Sequence, residues 1–342
     1  MLNRFLLFVV AGFFGSLFLR MHLPIPYLLG GMVVALLCKA FARNAAVSWP
    51  QSWRNIGLMV AGYGIGATFN NETWHNLIDE AAGVIEANLI AIAVSILLAW
   101  LMARWTRTNL QSCVMGMMPG GITLMMLLTE QDKRTDPNVV MVMQVIRLIG
   151  VIIAVPFLVI TLLDAHVVSD AVSMPNHGGI HWLVLIPLAV LGSYLAKKLH
   201  LPTPIFLGTI LLTAIFSVAA GDLQPVPGWL MAPAQISIGL YMGLLLDAER
   251  IARTKSILSL TIIGTMILVA VSVVVAHILS ARYGFSLVTA FLAMAPGGIA
   301  EMALAGMSMG ENVSIILTYQ LVRVLVINIG VPPLLNWYFG RK

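Results

Sequence analysis

The segment MAPGGIAEMAL, at residues 294–304, places helix-breaking residues and a carboxylate inside an otherwise apolar run. Proline lacks the backbone donor that a helix needs, and its ring clashes with the preceding turn. Glycine tolerates non-helical dihedral angles. A related segment, MMPGGITLMML, occupies residues 117–127. Both apolar segments are therefore predicted to break into two half-helices or a hairpin, with the second half starting near Gly121 or Gly298.

A broken helix inside a membrane leaves free backbone groups, which are tolerated only where protein buries them or water reaches them. The N-terminus of the second half directs a positive dipole end inward. Paired broken segments at matching positions are typical of secondary-transporter sites, whereas a structural kink is the simpler alternative. The backbone residues predicted to form the site are Pro119, Gly120, Gly121, Pro296, Gly297 and Gly298.

Glu301 is the one carboxylate close to either break, and it falls in the first turn of the second half-helix. The helix dipole favours a negative charge there. The first copy has Leu124 at the equivalent position, so the two copies differ chemically. This difference predicts that Glu301 binds a proton, a cation or a buried arginine. The alternative is that it lies close enough to the surface to be solvated.

Each copy also has an arginine deep inside its last apolar segment, Arg147 or Arg323, and a glutamine three residues earlier, Gln144 or Gln320. A mid-membrane arginine costs about 2.5–3.5 kcal/mol on insertion scales, so both need compensation. The planar guanidinium suits carboxylate or phosphate groups, which predicts that these residues bind a small anionic solute. The alternative is that they hold backbone carbonyls freed by the breaks.

The elements that position these residues are predicted to be membrane helices. The 342-residue chain is 60% hydrophobic and only 10% charged, and apolar runs of spanning length recur along it. The net charge of +5 comes from short loops, which indicates retention of loops in the cytoplasm and not nucleic-acid binding. Two cysteines and seven scattered histidines indicate no disulfide framework and no metal site, and no cofactor is predicted.

The chain is predicted to consist of two copies of one unit. LPIPYLLG at 23–30 returns as LPTPIFLG at 201–208, and the PGGI motif occurs twice. Gly62 and Gly66 return as Gly239 and Gly243, with the spacing of closely packed membrane helices. The predicted boundaries are 1–164 for the first repeat, 165–182 for a linker and 183–342 for the second repeat.

Six apolar segments in each repeat allow two topologies. If all twelve segments span the membrane, the repeats are parallel, and with the N-terminus inside and Arg147 and Arg323 left out, the other Lys and Arg divide 9 inside against 8 outside. If each PGG segment enters and leaves on one side, the second repeat is inverted and the count becomes 15 against 2. The second topology fits the charge rule. We therefore predict an all-α polytopic membrane protein with two inverted-topology repeats. Each repeat has about five transmembrane helices plus a broken or re-entrant PGG segment, and both termini are cytoplasmic.

These motifs resemble the duplicated AbrB family of bacterial inner-membrane proteins. In each copy L-P-x-P-x-x-L-G precedes P-G-G, which precedes Q-x-x-R, and together they cover the whole chain. The resemblance implies an inner-membrane location and a fold near those of cation–proton antiporters and anion transporters. Labels used in the family include a regulator of gene expression and an ammonia monooxygenase. The latter fits poorly, because a copper enzyme would need a histidine cluster.

We predict a secondary transporter of a small, carboxylate-type anion, coupled to H⁺ or Na⁺. The sequence offers no nucleophile–base pair, so no enzyme is expected. The predicted partners are the lipid bilayer and the solute, without nucleic acid, and a homodimer is left open. The alternative function is a membrane-embedded regulator or sensor that binds a ligand without moving it. Short cytoplasmic loops offer such a regulator little contact surface.

Overall fold

A computed structural model of the chain describes residues 4–41, 48–69, 81–106, 108–131, 134–163, 180–201, 203–221, 223–245 and 255–339. Most of the predicted linker, the acidic loop at 70–80 and both chain ends lie outside the described residues. Those termini were predicted to be cytoplasmic, and that expectation stays a prediction.

The described residues form a succession of α-helices. Those of the first predicted repeat are α1 (Arg4–Arg20), α2 (Pro26–Phe41), α3 (Gln51–Gly66), α4 (Ala81–Thr106), α5 (Leu110–Met117), α6 (Ile122–Gln131) and α7 (Pro137–Leu162). Those of the second are α8 (Leu185–Lys198), α9 (Pro204–Ala220), α10 (Gly228–Leu244), α11 (Lys255–Tyr283), α12 (Leu287–Met294), α13 (Ile299–Ser308) and α14 (Val313–Phe339). The two series match helix for helix, from α1 with α8 to α7 with α14.

Among the described residues, four helices are long and apolar enough to cross a membrane: α4, α7, α11 and α14. Compared with a soluble protein, large apolar side chains are exposed here and charged side chains are buried. Phe5 and Phe13 of α1 are 71% and 68% exposed, whereas Arg147 and Arg323 are buried. Large apolar side chains outside and charged ones inside are expected of a membrane protein.

Two compact units divide the chain, and each takes helices from both predicted repeats. The first unit contains residues 1–79, 156–245 and 300–314. It therefore holds α1, α2 and α3 together with their counterparts α8, α9 and α10, and most of α13. The second unit contains residues 80–155, 246–299 and 315–342. Its helices are α4, α5, α6, α11 and α12, with most of α7 and α14.

Glycines bring the helices of the first unit into close contact. A Cβ atom at Gly62 would lie 3.1 Å from the carbonyl oxygen of Phe206, and one at Gly243 would lie 2.7 Å from that of Met32. Backbones approach this closely only where no side chain intervenes. The glycines thus serve the packing role that their spacing predicted.

The same contacts give the directions of the helices in the first unit. Gly57 of α3 faces Ala234 of α10, and Gly64 of α3 faces Met231 of α10. Residue numbers therefore rise along α3 while those of the facing residues of α10 fall. Helices α3 and α10, which are counterparts in the predicted repeats, run antiparallel. Gly66 faces Thr213 of α9 while Gly62 faces Phe206, so α3 runs parallel to α9, the counterpart of α2.

In the second unit, α4 crosses its counterpart α11 in the antiparallel direction. Near one end, Glu86 forms an ion pair of 2.7 Å with Arg282. Towards the other end, a Cβ atom at Gly264 would lie 3.8 Å from the sulfur of Met102. Midway between these contacts lie Ser95 and Ser272, which occupy equivalent positions in the two repeats.

Candidate functional site

The first PGG motif ends one helix and starts another where the sequence predicted the break. Helix α5 ends at Met117 and α6 begins at Ile122. Gly121 has φ +91°, a conformation that L side chains rarely adopt. A Cβ atom at Gly120 would lie 2.6 Å from Cγ2 of Ile327, so the break packs against α14. The second motif separates Met294, the last residue of α12, from the start of α13 in the same way.

The two ends of the α5–α6 segment lie together. The side chain of Asn109, which caps α5, donates a hydrogen bond to the carbonyl of Arg134, beyond the end of α6. The backbone N–H of Asp136 donates to Oγ of Ser112 at 2.8 Å. Two helices placed end to end across a membrane would hold these groups far apart.

Arg147 holds the carbonyl groups that the first break leaves without helical donors. Its Nη1 donates to the carbonyls of Met117 at 3.1 Å and Met118 at 2.7 Å, with a longer contact of 3.4 Å to Gly116. Its Nη2 donates to the side-chain oxygen of Gln144 at 2.8 Å. The amide of Gln144 in turn donates to the Met118 carbonyl at 2.9 Å. The side chains of Arg147 and Gln144 thus supply hydrogen-bond donors that a further turn of helix would otherwise have supplied.

Arg323 makes the matching contacts at the second break. Its Nη1 donates to the carbonyls of Met294 at 3.3 Å and Ala295 at 2.9 Å, and its Nη2 donates to that of Gly297 at 3.2 Å. Nη2 also donates to the side chain of Gln320. The amide of Gln320 donates to the Ala295 carbonyl at 3.0 Å. The two breaks are therefore held by the same Q-x-x-R device.

These contacts are those of the alternative in which the arginines hold freed carbonyls. They do not use the whole guanidinium group, because Nε of Arg147 and Nε of Arg323 are buried and have no hydrogen-bond acceptor among the described residues. A buried donor without an acceptor is uncommon and points to a ligand or a water. Binding of an anion by these residues stays a prediction.

A small cavity lies at the crossing of α4 and α11 in the second unit. Its volume is about 10 Å³, which is close to the space that one water molecule needs. Arg323 lines it together with both prolines of the breaks, Pro119 and Pro296. The other lining residues are Ala91, Ser95, Leu268, Val271, Ser272, Val275 and Met294. Six of these ten residues form three pairs that the predicted repeats align: Ala91 with Leu268, Ser95 with Ser272, and Pro119 with Pro296.

Sequence analysis missed the two serines of this cavity. Ser272 Oγ lies within hydrogen-bond distance of the carbonyl oxygens of Leu268 at 2.8 Å and Met294 at 3.1 Å, which share its one proton, so it connects α11 to the end of α12. Among the described residues, Ser95 Oγ donates only within its own helix, to the Ala91 carbonyl at 2.8 Å. The repeat alignment contained a usable signal, because these serines match at the same offset as the two PGG motifs.

The predicted site residues fall in both units. The second unit brings ten of them together: Pro119, Gly120, Gly121, Gln144, Arg147, Pro296, Gly297, Gly298, Gln320 and Arg323. Glu301 belongs to the first unit and is 2% exposed, so it is not a solvated surface residue. Its Oε1 has no hydrogen-bond partner among the described residues.

Comparisons with known proteins agree on one family. Residues 5–339 match the family described as "Transition state regulatory protein AbrB". The chain is 27% identical to "Uncharacterized protein YhjN" of Bacillus subtilis (strain 168), over 94% of this chain and 90% of that protein. It is 25% identical to "Putative regulator AbrB" of Escherichia coli (strain K12), over 91% of this chain and 89% of that protein.

Proposed function

The chain belongs to the AbrB family, and on this premise we propose that it is a secondary transporter of a small, carboxylate-type anion in the bacterial inner membrane. The observation that carries the proposal is the position of Arg323, buried at the crossing of matched helices, beside a cavity, with a hydrogen-bond donor to spare. A regulator needs a ligand site, but it does not need one built symmetrically from two halves of the chain.

The charge of the second unit favours an anion. Arg147 and Arg323 are 3% and 1% exposed, and a pair of buried cations requires compensation. Among the described side chains of this unit, the carboxylates of Glu86 and Asp136 are both exposed. The carbonyls around the guanidinium groups supply only partial negative charge. An anionic solute next to Arg323 would complete the balance.

The chemistry of the cavity favours a carboxylate. Nε of Arg323 is a charged donor, and the hydroxyl groups of Ser95 and Ser272 retain oxygen lone pairs for a solute hydroxyl, amine or water. The rest of the lining is apolar, which suits a small organic anion better than a highly hydrated inorganic one. Space for one water is too small for such a solute, so binding requires the crossing helices to separate. Alternating access supplies that movement.

Inversion of the two repeats is supported by helix direction in each unit taken separately. In the first unit α3 runs antiparallel to its counterpart α10, and in the second α4 runs antiparallel to α11. A re-entrant first PGG segment is supported by the hydrogen bond from Asn109 to the Arg134 carbonyl. Inverted repeats with broken segments at their interface are a common transporter architecture.

Uptake into reconstituted vesicles tests the proposal. We would reconstitute the purified protein into the membrane of liposomes and add a mixture of acetate, succinate and glutamate outside them. A pH or Na⁺ gradient would be imposed across the membrane. We expect accumulation of at least one of them by the wild type and loss of accumulation in Arg323→Lys. Arg282→Lys, which changes an exposed arginine in the same way, should keep it. Absence of accumulation by the wild type under both gradients would contradict the proposal.

The topology has its own test. Reporter fusions at residues 133 and 253, which both lie outside the described residues, should report the cytoplasm if the second repeat is inverted. A periplasmic result at either position would contradict the re-entrant arrangement. Fusions at the two chain ends, in the same assay, test whether the termini are cytoplasmic as predicted.

The second candidate function is a membrane-embedded regulator, and it is favoured by the names of the family and of one relative, both of which are called regulators. Such a protein would bind its ligand at the same cavity without moving it. The vesicle assay separates the two functions when it is paired with thermal unfolding. A carboxylate that raises the unfolding temperature and never accumulates would favour the regulator.

A further inference from the structure

We propose that Glu301 is a proton-binding site, at which the carboxyl group is neutral while it is buried. When the carrier opens, the carboxyl loses this proton to water on one side of the membrane. It regains a proton from water on the other side, so each cycle moves one proton and needs no further reactant. The release and uptake of this proton rest on the proposed transport function, whereas the neutral state of the buried carboxyl group does not.

The surroundings of Glu301 in its own helix are apolar. Its neighbours Ala300, Met302, Ala303 and Leu304 are all buried. Oε1 has no partner among the described residues. Burying an ionised carboxylate without a partner is very costly, and the group normally becomes neutral instead. A bound metal ion would need several oxygen ligands, and the described residues contain no group of three or more His, Cys, Asp or Glu side chains that could hold one.

Arg54 is a cation of the same unit as Glu301. Arg54 is only partly buried, and its guanidinium carbon lies 4.9 Å from the centre of the Tyr241 ring. Among the described residues no ion pair joins Arg54 to Glu301, and Nε of Arg54 has no hydrogen-bond partner. No ion pair with Arg54 therefore holds the buried Glu301 carboxyl in its ionised form.

The first repeat provides a matched replacement. Leu124 occupies the position in α6 that Glu301 occupies in α13. An apolar residue is thus compatible with this place in a half-helix, so Glu301→Leu should fold even if Glu301→Gln does not. Glu86→Gln is the control, because that carboxyl group is exposed and paired with Arg282.

Infrared spectroscopy of the purified protein in nanodiscs tests the protonation of Glu301 without any solute. At neutral pH, wild type minus Glu301→Gln should show the carbonyl stretch of a protonated carboxyl group, with the isotope shift expected in D₂O. Wild type minus Glu301→Leu should show the same band, and wild type minus Glu86→Gln should show only carboxylate bands. If both Glu301 difference spectra contain carboxylate bands alone, the proposal is wrong.

Transport in vesicles tests the release of this proton separately. We expect Glu301→Gln and Glu301→Leu to move the solute down its own gradient. Their accumulation of solute under an imposed pH gradient should be at least tenfold smaller than that of the wild type. An unchanged pH response in both variants would overturn the coupling role. If the wild type moves no solute at all, the transporter proposal fails, and the infrared result still decides whether Glu301 binds a proton.

Discussion

The two breaks of the second unit share one construction and differ in what surrounds it. At the first break, Arg147 and Gln144 hold the end of α5, and at the second, Arg323 and Gln320 hold the end of α12. Of the two arginines, Arg323 lines the cavity. The two breaks thus have equivalent supports, and Arg323 in addition borders a cavity.

This difference separates holding the fold from binding the solute. A Q-x-x-R pair can satisfy freed carbonyls at either break, because that role depends on backbone groups that both repeats share. Binding of a solute also requires the arginine to border a space that the solute can enter. The residues that follow the two breaks also differ, because Glu301 follows the second break and Leu124 follows the first. The predicted second repeat therefore contains both residues for which we propose a chemical role, Arg323 and Glu301.

The largest effect is expected from removing either guanidinium group. Arg147→Met and Arg323→Met should each lose about 3–5 kcal/mol of stability, because carbonyls and a glutamine are left buried without donors. The two losses should be similar. Thermal unfolding in detergent micelles measures them, and a large loss at one position alone would show that the two supports are not equivalent.

A smaller difference is expected between the glycines that follow the prolines. Gly121 has φ +91°, whereas Gly298 is not among the described residues with positive φ. Gly121→Ala should therefore cost about 1–2 kcal/mol through backbone strain, and Gly298→Ala should cost less from this source. Unfolding midpoints of the two variants check this. A larger loss at Gly298 would mean that close packing, and not φ, limits these positions.

The smallest effect is expected at the serines of the cavity. Ser272→Ala removes a hydrogen bond between helices and should cost about 1 kcal/mol, whereas Ser95→Ala removes only a bond within α4 and should cost less. The same unfolding measurement applies to both. Equal losses would indicate that Ser95 has a partner that its contacts in this structure do not include.

Much of this arrangement could be predicted from sequence, because covalent constraints act locally. The PGG motifs placed both breaks, since proline and glycine disrupt a helix wherever they occur. The spacing of Gly62 and Gly66 indicated close packing. The Q-x-x-R spacing indicated that each pair shares one helix face, which the bonds of Arg147 to Gln144 and Arg323 to Gln320 agree with.

Long-range packing could not be predicted in the same way. The sequence did not indicate that compact units would mix the repeats, because this depends on which faces meet across the duplication. Nor did it distinguish Arg323 from Arg147, whose local motifs are equivalent. Ser95 and Ser272 resemble ordinary helix serines until the crossing of α4 and α11 places them beside a cavity.

The central claim is that Arg323 binds an anion and that Arg147 supports the fold. Its most direct test is thermal unfolding of the wild type, Arg147→Lys and Arg323→Lys with acetate, succinate or glutamate at constant ionic strength. The account predicts that a carboxylate that stabilises the wild type also stabilises Arg147→Lys and loses its effect on Arg323→Lys. Equal stabilisation of both variants, or loss of the effect in Arg147→Lys alone, would contradict it.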